Sequence, residues 1–173
     1  MTTMSLLPGV SGTARFSEDG RYRYTLRRWW HGGGRTAVFV GLNPSKAGAD
    51  RDDLTIRKCI GFATTWGCSE IFMLNLFALI ATDPEELFSS LDPSGPENKY
   101  WIDQTFALHS DPNNILVAAW GAHKMAETPG CKLEHELRPR KMVCLGKTKD
   151  GSPKHPSRLA YATVLEPFRG GVI

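Results

Sequence analysis

Cysteine is scarce in this chain and poorly spaced for a metal. The four residues, Cys59, Cys68, Cys131 and Cys144, form no C-x-x-C pair. That excludes a zinc ribbon or a cysteine-ligated cluster, so reduced and mostly buried thiols are expected, with no metal and no cofactor. Long apolar runs are missing too. None approaches the roughly 20 residues of a membrane-spanning helix. Residues Met1 to Gly12 have neither a cationic start nor a sustained apolar stretch, so no secretory signal is expected and the cytoplasm is the default compartment. No repeat or low-complexity block occurs.

What is present is the make-up of a folded domain. The 173 residues are 41% hydrophobic and 23% charged, which suits one core rather than a disordered chain. Residues 1–14 are expected to be loose, and 15–173 to form a single α/β domain. The net charge of +3 is unevenly placed. Residues 15–35 hold six arginines against Glu18 and Asp19. Residues 131–158 hold eight Lys or Arg against three acids, whereas 70–111 hold eight acids against Lys99. Such separation either builds a basic face that meets phosphates or is ordinary solubilising charge.

Apolar runs at Ala37–Gly41, Ile71–Leu74, Ile115–Ala119 and Met142–Leu145 are short and nearly continuous. Strands covered on both faces read this way. Arg21 to Trp30, "RYRYTLRRWW", alternates in part and reads as an antiparallel or edge strand, and "HGGGR" breaks the chain after it. Helical signals lie between the strands. Ile56, Cys59, Ile60 and Ala63 share one helical face. Asp83-Pro84-Glu85-Glu86 opens a second helix. Pro96 opens a third, with Trp101, Thr105 and Leu108 on one side. Gly121–Met125 starts another, and Glu134–Leu137 is a short one.

Alternating strands and helices predict a three-layer α/β/α sandwich. Its expected centre is a mostly parallel four-stranded sheet, with an N-terminal edge strand or hairpin added. In such sheets ligands bind beyond the carboxyl ends of the strands. The first run ends in Gly41-Leu42-Asn43-Pro44-Ser45 and the second in Asn75. The third ends in Trp120-Gly121, and the fourth leads to Lys154-His155-Pro156-Ser157-Arg158-Leu159. The topology therefore predicts that Asn43, Asn75 and His155 meet in one crevice. Each also has a plainer reading: a turn, a strand-end bond to backbone, an exposed loop histidine. The connection from Asn43 to Asp53 exceeds the usual ~2–6 residues of a βα loop, which favours function. Asp53 is either a carboxylate for chemistry or the N-cap of the helix that begins at Leu54.

The ordered series GLNPS, MLNL, AAWG and HPSRLA resembles the motifs of the uracil-DNA glycosylase superfamily over residues 36–160. Pieces such as "DDLTIRKCIGFA" and "LGKTKDGSPKHP" also resemble an uncharacterised bacterial and phage domain family. The first resemblance implies cleavage of an N-glycosidic bond in DNA, without a cofactor, on an unusual, damaged or modified base flipped into the crevice. It implies that His155 donates to the departing base and that Asn43 positions water. Asn75 would read the base edge, with Leu42 beside it and Phe77, or less favourably Trp120, stacking on the ring. Ser157, Lys154, Arg158 and Arg57 would meet phosphates, and Leu159 would fill the gap left by the flipped nucleotide. The most active branch of that superfamily has Asp where Asn43 stands, and asparagine cannot take a proton; Asp53 is the available substitute. Partners expected on this basis are single- or double-stranded DNA or a nucleotide, no membrane, and a monomer. Two other readings stay open. One is an enzyme of free nucleosides or nucleotides, and the other is a non-catalytic nucleic-acid-binding module.

Overall fold

The computed structural model of the protein describes residues 4–30, 34–45, 47–83, 86–137 and 140–168. In chain order the elements are strands β1 (Met4–Ser5), β2 (Ser11–Phe16), β3 (Arg23–Trp29), β4 (Arg35–Gly41) and β5 (Arg51–Asp52), then helix α1 (Leu54–Thr65) and strand β6 (Cys68–Asn75). Helices α2 (Glu86–Ser89) and α3 (Asn98–Leu108) come next, then β7 (Ile115–Ala118), helix α4 (Glu127–Glu136), β8 (Met142–Cys144) and β9 (Glu166–Pro167). Single 3-10 turns occupy Lys124–Ala126 and Pro156–Arg158.

The sheet corrects the expected architecture. It has seven strands in the order β2-β3-β6-β4-β7-β8-β9, not four. It is mixed: β6, β4, β7 and β8 run parallel to one another, whereas β2, β3 and β9 pair antiparallel. The apolar-run criterion finds strands buried on both faces. It passes over β2, whose side chains are mostly exposed, and the two-residue β9. β3 is not an edge strand, because β2 pairs along its outer side in a hairpin. Residues 4–14, expected to be loose, include β1, paired with β5, and the start of β2.

Alternation along the central strands explains the layers. Val38 and Val40 of β4 pack in one cluster with Ile102 and Phe106 of α3 and Leu133 of α4. Ala37 and Phe39 pack on the other face with Ile56, Cys59, Ile60 and Phe62 of α1. Period-two strands meeting period-3.6 helices on both sides give this division. The spacing Ile56, Cys59, Ile60, Ala63 is the buried face of α1, as expected. In α3 the buried face is instead Asn98, Ile102, Thr105 and Phe106, and Leu108 stands 78% exposed. The stretch expected as a short helix at Glu134–Leu137 is the end of α4. His31 to Gly33, Lys46, Pro84 and Glu85 lie outside the described residues, so those parts of the expected chain break, loop and helix start are not described. Among the described residues no helix is long and apolar enough to cross a membrane.

The long loop between β4 and α1 is held from inside. Arg28 of β3 is fully buried, and its Nε donates to Asp52 Oδ1 at 2.8 Å. Its Nη2 donates to the carbonyls of Gly48 and Arg51. Space for this guanidinium comes from Gly12 of β2, where a Cβ would lie 2.5 Å from Arg28 Nη1. A polar loop thus becomes a fixed wall, because its carbonyls find donors that water would otherwise supply.

Candidate functional site

A pocket of about 330 Å³ opens at the carboxyl ends of β4, β6 and β7. Asn43, Asn75 and His155 all line it, as the topology predicts. Leu42, Asp53 and Trp120 line it as well. The volume lies in the range of small-molecule sites.

Asn43 sits just beyond β4, and its Nδ2 donates to the carbonyls of Pro44 and Ala81 at 3.2 and 3.0 Å. Both partners are acceptors, so the amide nitrogen must face them. Oδ1 is then the group left to accept from water or a ligand. Asn75 ends β6 and is 2% exposed. Its Nδ2 is buried without a hydrogen-bond partner. Buried donors are rarely left unmet, so this nitrogen calls for an acceptor from an ordered water or a ligand. Asn98 of α3 braces this strand end, donating from Nδ2 to the carbonyls of Asn75 and Leu76 at 3.0 and 3.2 Å.

His155 precedes a 3-10 turn, and its Nδ1 accepts from the Ser157 backbone N–H at 3.4 Å. Ser157 Oγ lies 2.9 Å from the same nitrogen. That places the proton of a neutral ring on Nε2, which becomes a donor. His155 remains solvent-exposed, as in its plainer reading, yet partial desolvation lowers its pKa, against the opposing pull of Asp53, so the neutral ring prevails at neutral pH. A second imidazole, His123, also lines the pocket and accepts from Met125 N–H at 3.4 Å.

Asp53 is the N-cap of α1. Its Oδ1 accepts from Ile56 N–H at 2.9 Å and its Oδ2 from Ser45 Oγ. Both oxygens are therefore engaged although the residue lines the pocket.

The other expected contacts distribute differently. Phe77 does not line this pocket; it packs in the core cluster of β4, α3 and α4 while its N–H holds Leu42 O at 2.9 Å. The aromatic at the pocket is Trp120, fixed edge-on against Phe168 and close over Gly130 of α4. Arg57 reaches away, donating from Nη2 to Ser5 O at 2.8 Å. Leu159 is half-buried against the α1 cluster, and its carbonyl accepts from Lys58 Nζ at 2.7 Å, so it does not project as a wedge. Ser157 serves His155. Lys154 and Arg158 are exposed on either side of His155, with Lys147 and Lys149 exposed earlier in the same loop.

The arginine-rich segment is mostly not a free basic face. Arg28 is buried, Arg27 pairs with Glu70, and Arg15 lies over the Trp101 ring. Arg23, which no motif marks, lines the pocket while only 2% exposed. Burial pushes its guanidinium down to about 10, against Asp53, so it stays charged at neutral pH. It arrives there because β3 is antiparallel to β6, which brings the first residue of β3 to the carboxyl end of β6. Period-two alternation places Arg23 on a strand but does not say which end of the sheet it reaches.

No group of three or more metal-ligating side chains occurs among the described residues. No curated protein and no solved structure matches the chain. The family model described as "Protein of unknown function (DUF1643)" matches residues 23–157, more than half of the sequence and all of the pocket-bearing strands, and the chain belongs to that family.

Proposed function

We propose that the pocket binds a nucleobase and that the protein is a DNA glycosylase-like hydrolase of the N-glycosidic bond of an unusual, damaged or modified base. The observation that carries this reading is the meeting of Asn43, Asn75 and His155 in one pocket, with Asn75 Nδ2 buried and unmet. The similarity to the uracil-DNA glycosylase superfamily in the four ordered motifs supports it.

The chemistry rests on donor and acceptor roles. As the base–sugar bond breaks, its electron pair leaves with the base and positive charge grows on the sugar. Asn75 Nδ2–H and His155 Nε2–H donate to the base as it becomes anionic. Asn43 Oδ1 holds a water for attack at the sugar carbon. The water oxygen joins the sugar, and the displaced proton ends on the base or in solvent. Asn43 positions this water without deprotonating it. Asp53 contributes a nearby negative charge and a fixed loop rather than a free base. The exposed Lys147, Lys149, Lys154 and Arg158 offer phosphate contacts at the mouth.

One observation favours a second reading, an enzyme of free nucleosides or nucleotides. Leu159 packs inward rather than projecting as the apolar wedge that would replace a flipped base. Oligonucleotides, single- and double-stranded, carrying natural, deaminated and modified bases separate the two readings. Abasic sites revealed by alkaline cleavage, lost in a folded His155→Ala variant, are expected for the glycosylase. Base release only from free nucleosides selects the second reading, and full activity in His155→Ala sinks the mechanism of both.

A further inference from the structure

Two buried arginines on one strand differ in a way that folding does not require. Arg28 has an ion-pair partner, Asp52, and its remaining nitrogens donate to three backbone carbonyls. It is a satisfied structural residue. Arg23, five positions earlier, donates from Nη1 to Ala47 O at 2.6 Å. Its Nε is buried with no partner, and among the described residues no carboxylate lies within ion-pair distance of it. The acid that acts on it, Asp53, has its two oxygens engaged by Ile56 N–H and Ser45 Oγ.

A buried cation without a paired anion is costly to keep in a folded protein. Here the cation faces a pocket that also holds the unmet Asn75 Nδ2. Two unmet donors, one on a charged group, suit a ligand with one acceptor for Asn75 and an anionic oxygen for Arg23.

We propose that Arg23 is a specificity-determining residue of the pocket and that the natural ligand carries an anionic group where it meets the Arg23 guanidinium. This rests on the pocket being a base or nucleotide site. The anion has two possible sources, a carboxyl substituent on the base or the phosphate of a free nucleotide. A neutral base fills the Asn75 donor and leaves Arg23 unpaired.

The test is calorimetric titration of the full chain with four probes: uracil, 5-carboxyuracil, uridine and uridine 5′-monophosphate. Parent protein is expected to bind at least one charged probe more tightly than its neutral counterpart. Preference for 5-carboxyuracil over uracil assigns the anion to the base, and preference for the monophosphate over uridine assigns it to phosphate. In Arg23→Gln the preference is expected to fall by at least about twentyfold, as for a buried charge contact that loses one partner. Arg23→Lys is expected to recover part of it. Equal binding of charged and neutral probes by the parent, or no binding of either charged probe, overturns the assignment without any variant. So does a preference unchanged in a folded Arg23→Gln.

The glycosylase reading is scored separately by base release from oligonucleotides. Release insensitive to Arg23, with no charge preference, rejects this inference and leaves that reading standing. Arg23-dependent binding of a charged probe with no release from any oligonucleotide does the reverse.

Discussion

Gly41 and Asn75 stand opposite each other where parallel strands β4 and β6 end, and a Cβ on Gly41 would lie 2.8 Å from Asn75 Oδ1. The glycine is there for contact rather than for backbone freedom. It lets the amide close down on the strand end and so fixes where the unmet Nδ2 sits. Gly41→Ala is expected to displace the Asn75 side chain and to cost about 1–3 kcal/mol in urea unfolding, as overpacking does. Ligand binding or base release should fall by more than this stability loss explains. An alanine variant with unchanged stability and unchanged binding would show that the close contact has no role.

Asp53 takes the N-cap role that the sequence offers for it. As N-cap it holds Ile56 N–H, and through Oδ2 it holds the Ser45 hydroxyl. Asp53→Ala is expected to cost about 1 kcal/mol, the usual loss for an N-cap. Asp53→Asn keeps a capping oxygen and should cost less. It should also retain base release to within about tenfold, because both carboxylate oxygens already hold donors, Ile56 N–H and the Ser45 hydroxyl. A loss of about 100-fold or more in a folded Asp53→Asn, the scale of a missing proton acceptor, would reinstate it as the catalytic base.

Much of the pocket can be read from strand ends. Val38–Val40 and Leu116–Ala118 belong to central strands covered by helices on both faces, so their apolar runs identify them, and the residues just beyond each run reach one crevice. Asn43, Asn75, Trp120 and His155 come from that logic alone. Arg23 does not, because alternation in "RYRYTLRRWW" gives a strand without its direction or its neighbour. Pairing β3 against β6 is a long-range event that local pattern cannot encode. β2 and β9 escape for a different reason, since exposed or two-residue strands carry no continuous apolar signal. Phe77 misleads because a residue two places past a strand end already belongs to the core when its N–H is tied to Leu42 O.

The Arg28–Asp52 pair predicts a loop effect beyond stability. Burial raises the Asp52 pKa more than Arg28 lowers it, so the pair fixes shape more than it adds net stability. Arg28→Met leaves Asp52 buried without its cation and is expected to cost about 3–5 kcal/mol. Arg28→Met with Asp52→Leu should cost less than the first change alone. Hydrogen exchange supplies the second readout. Amides of residues 47–52 should exchange faster in Arg28→Met even under conditions where α1 remains protected. Uniform loss of protection across α1 and this loop would show instead that the pair supports the whole fold.

His155 and His109 both contribute to the pH dependence. For His155 the direction of the shift is downward. Its pKa lies below the ordinary histidine value of 6.5 because desolvation disfavours the charged ring. His109, half-buried against Phe72, is shifted the same way for the same reason. For such a group the unfolded chain takes up the proton first as pH falls. The stability contribution is therefore complete above 6.5 and is lost as pH drops toward the folded-state value. His155→Gln is expected to flatten part of this slope, with His109 accounting for the remainder. Activity should depend on the same proton. Protonated Nδ1 can no longer accept the Ser157 N–H, so base release should be flat near neutrality and fall on an acid limb below the ordinary histidine value. In Ser157→Ala the backbone contact survives and the limb should persist. In His155→Gln, whatever activity remains should lack it. Base release that instead falls as pH rises through the histidine range would mean that the working form is the protonated imidazolium, and His155 would then be a cationic rather than a neutral donor.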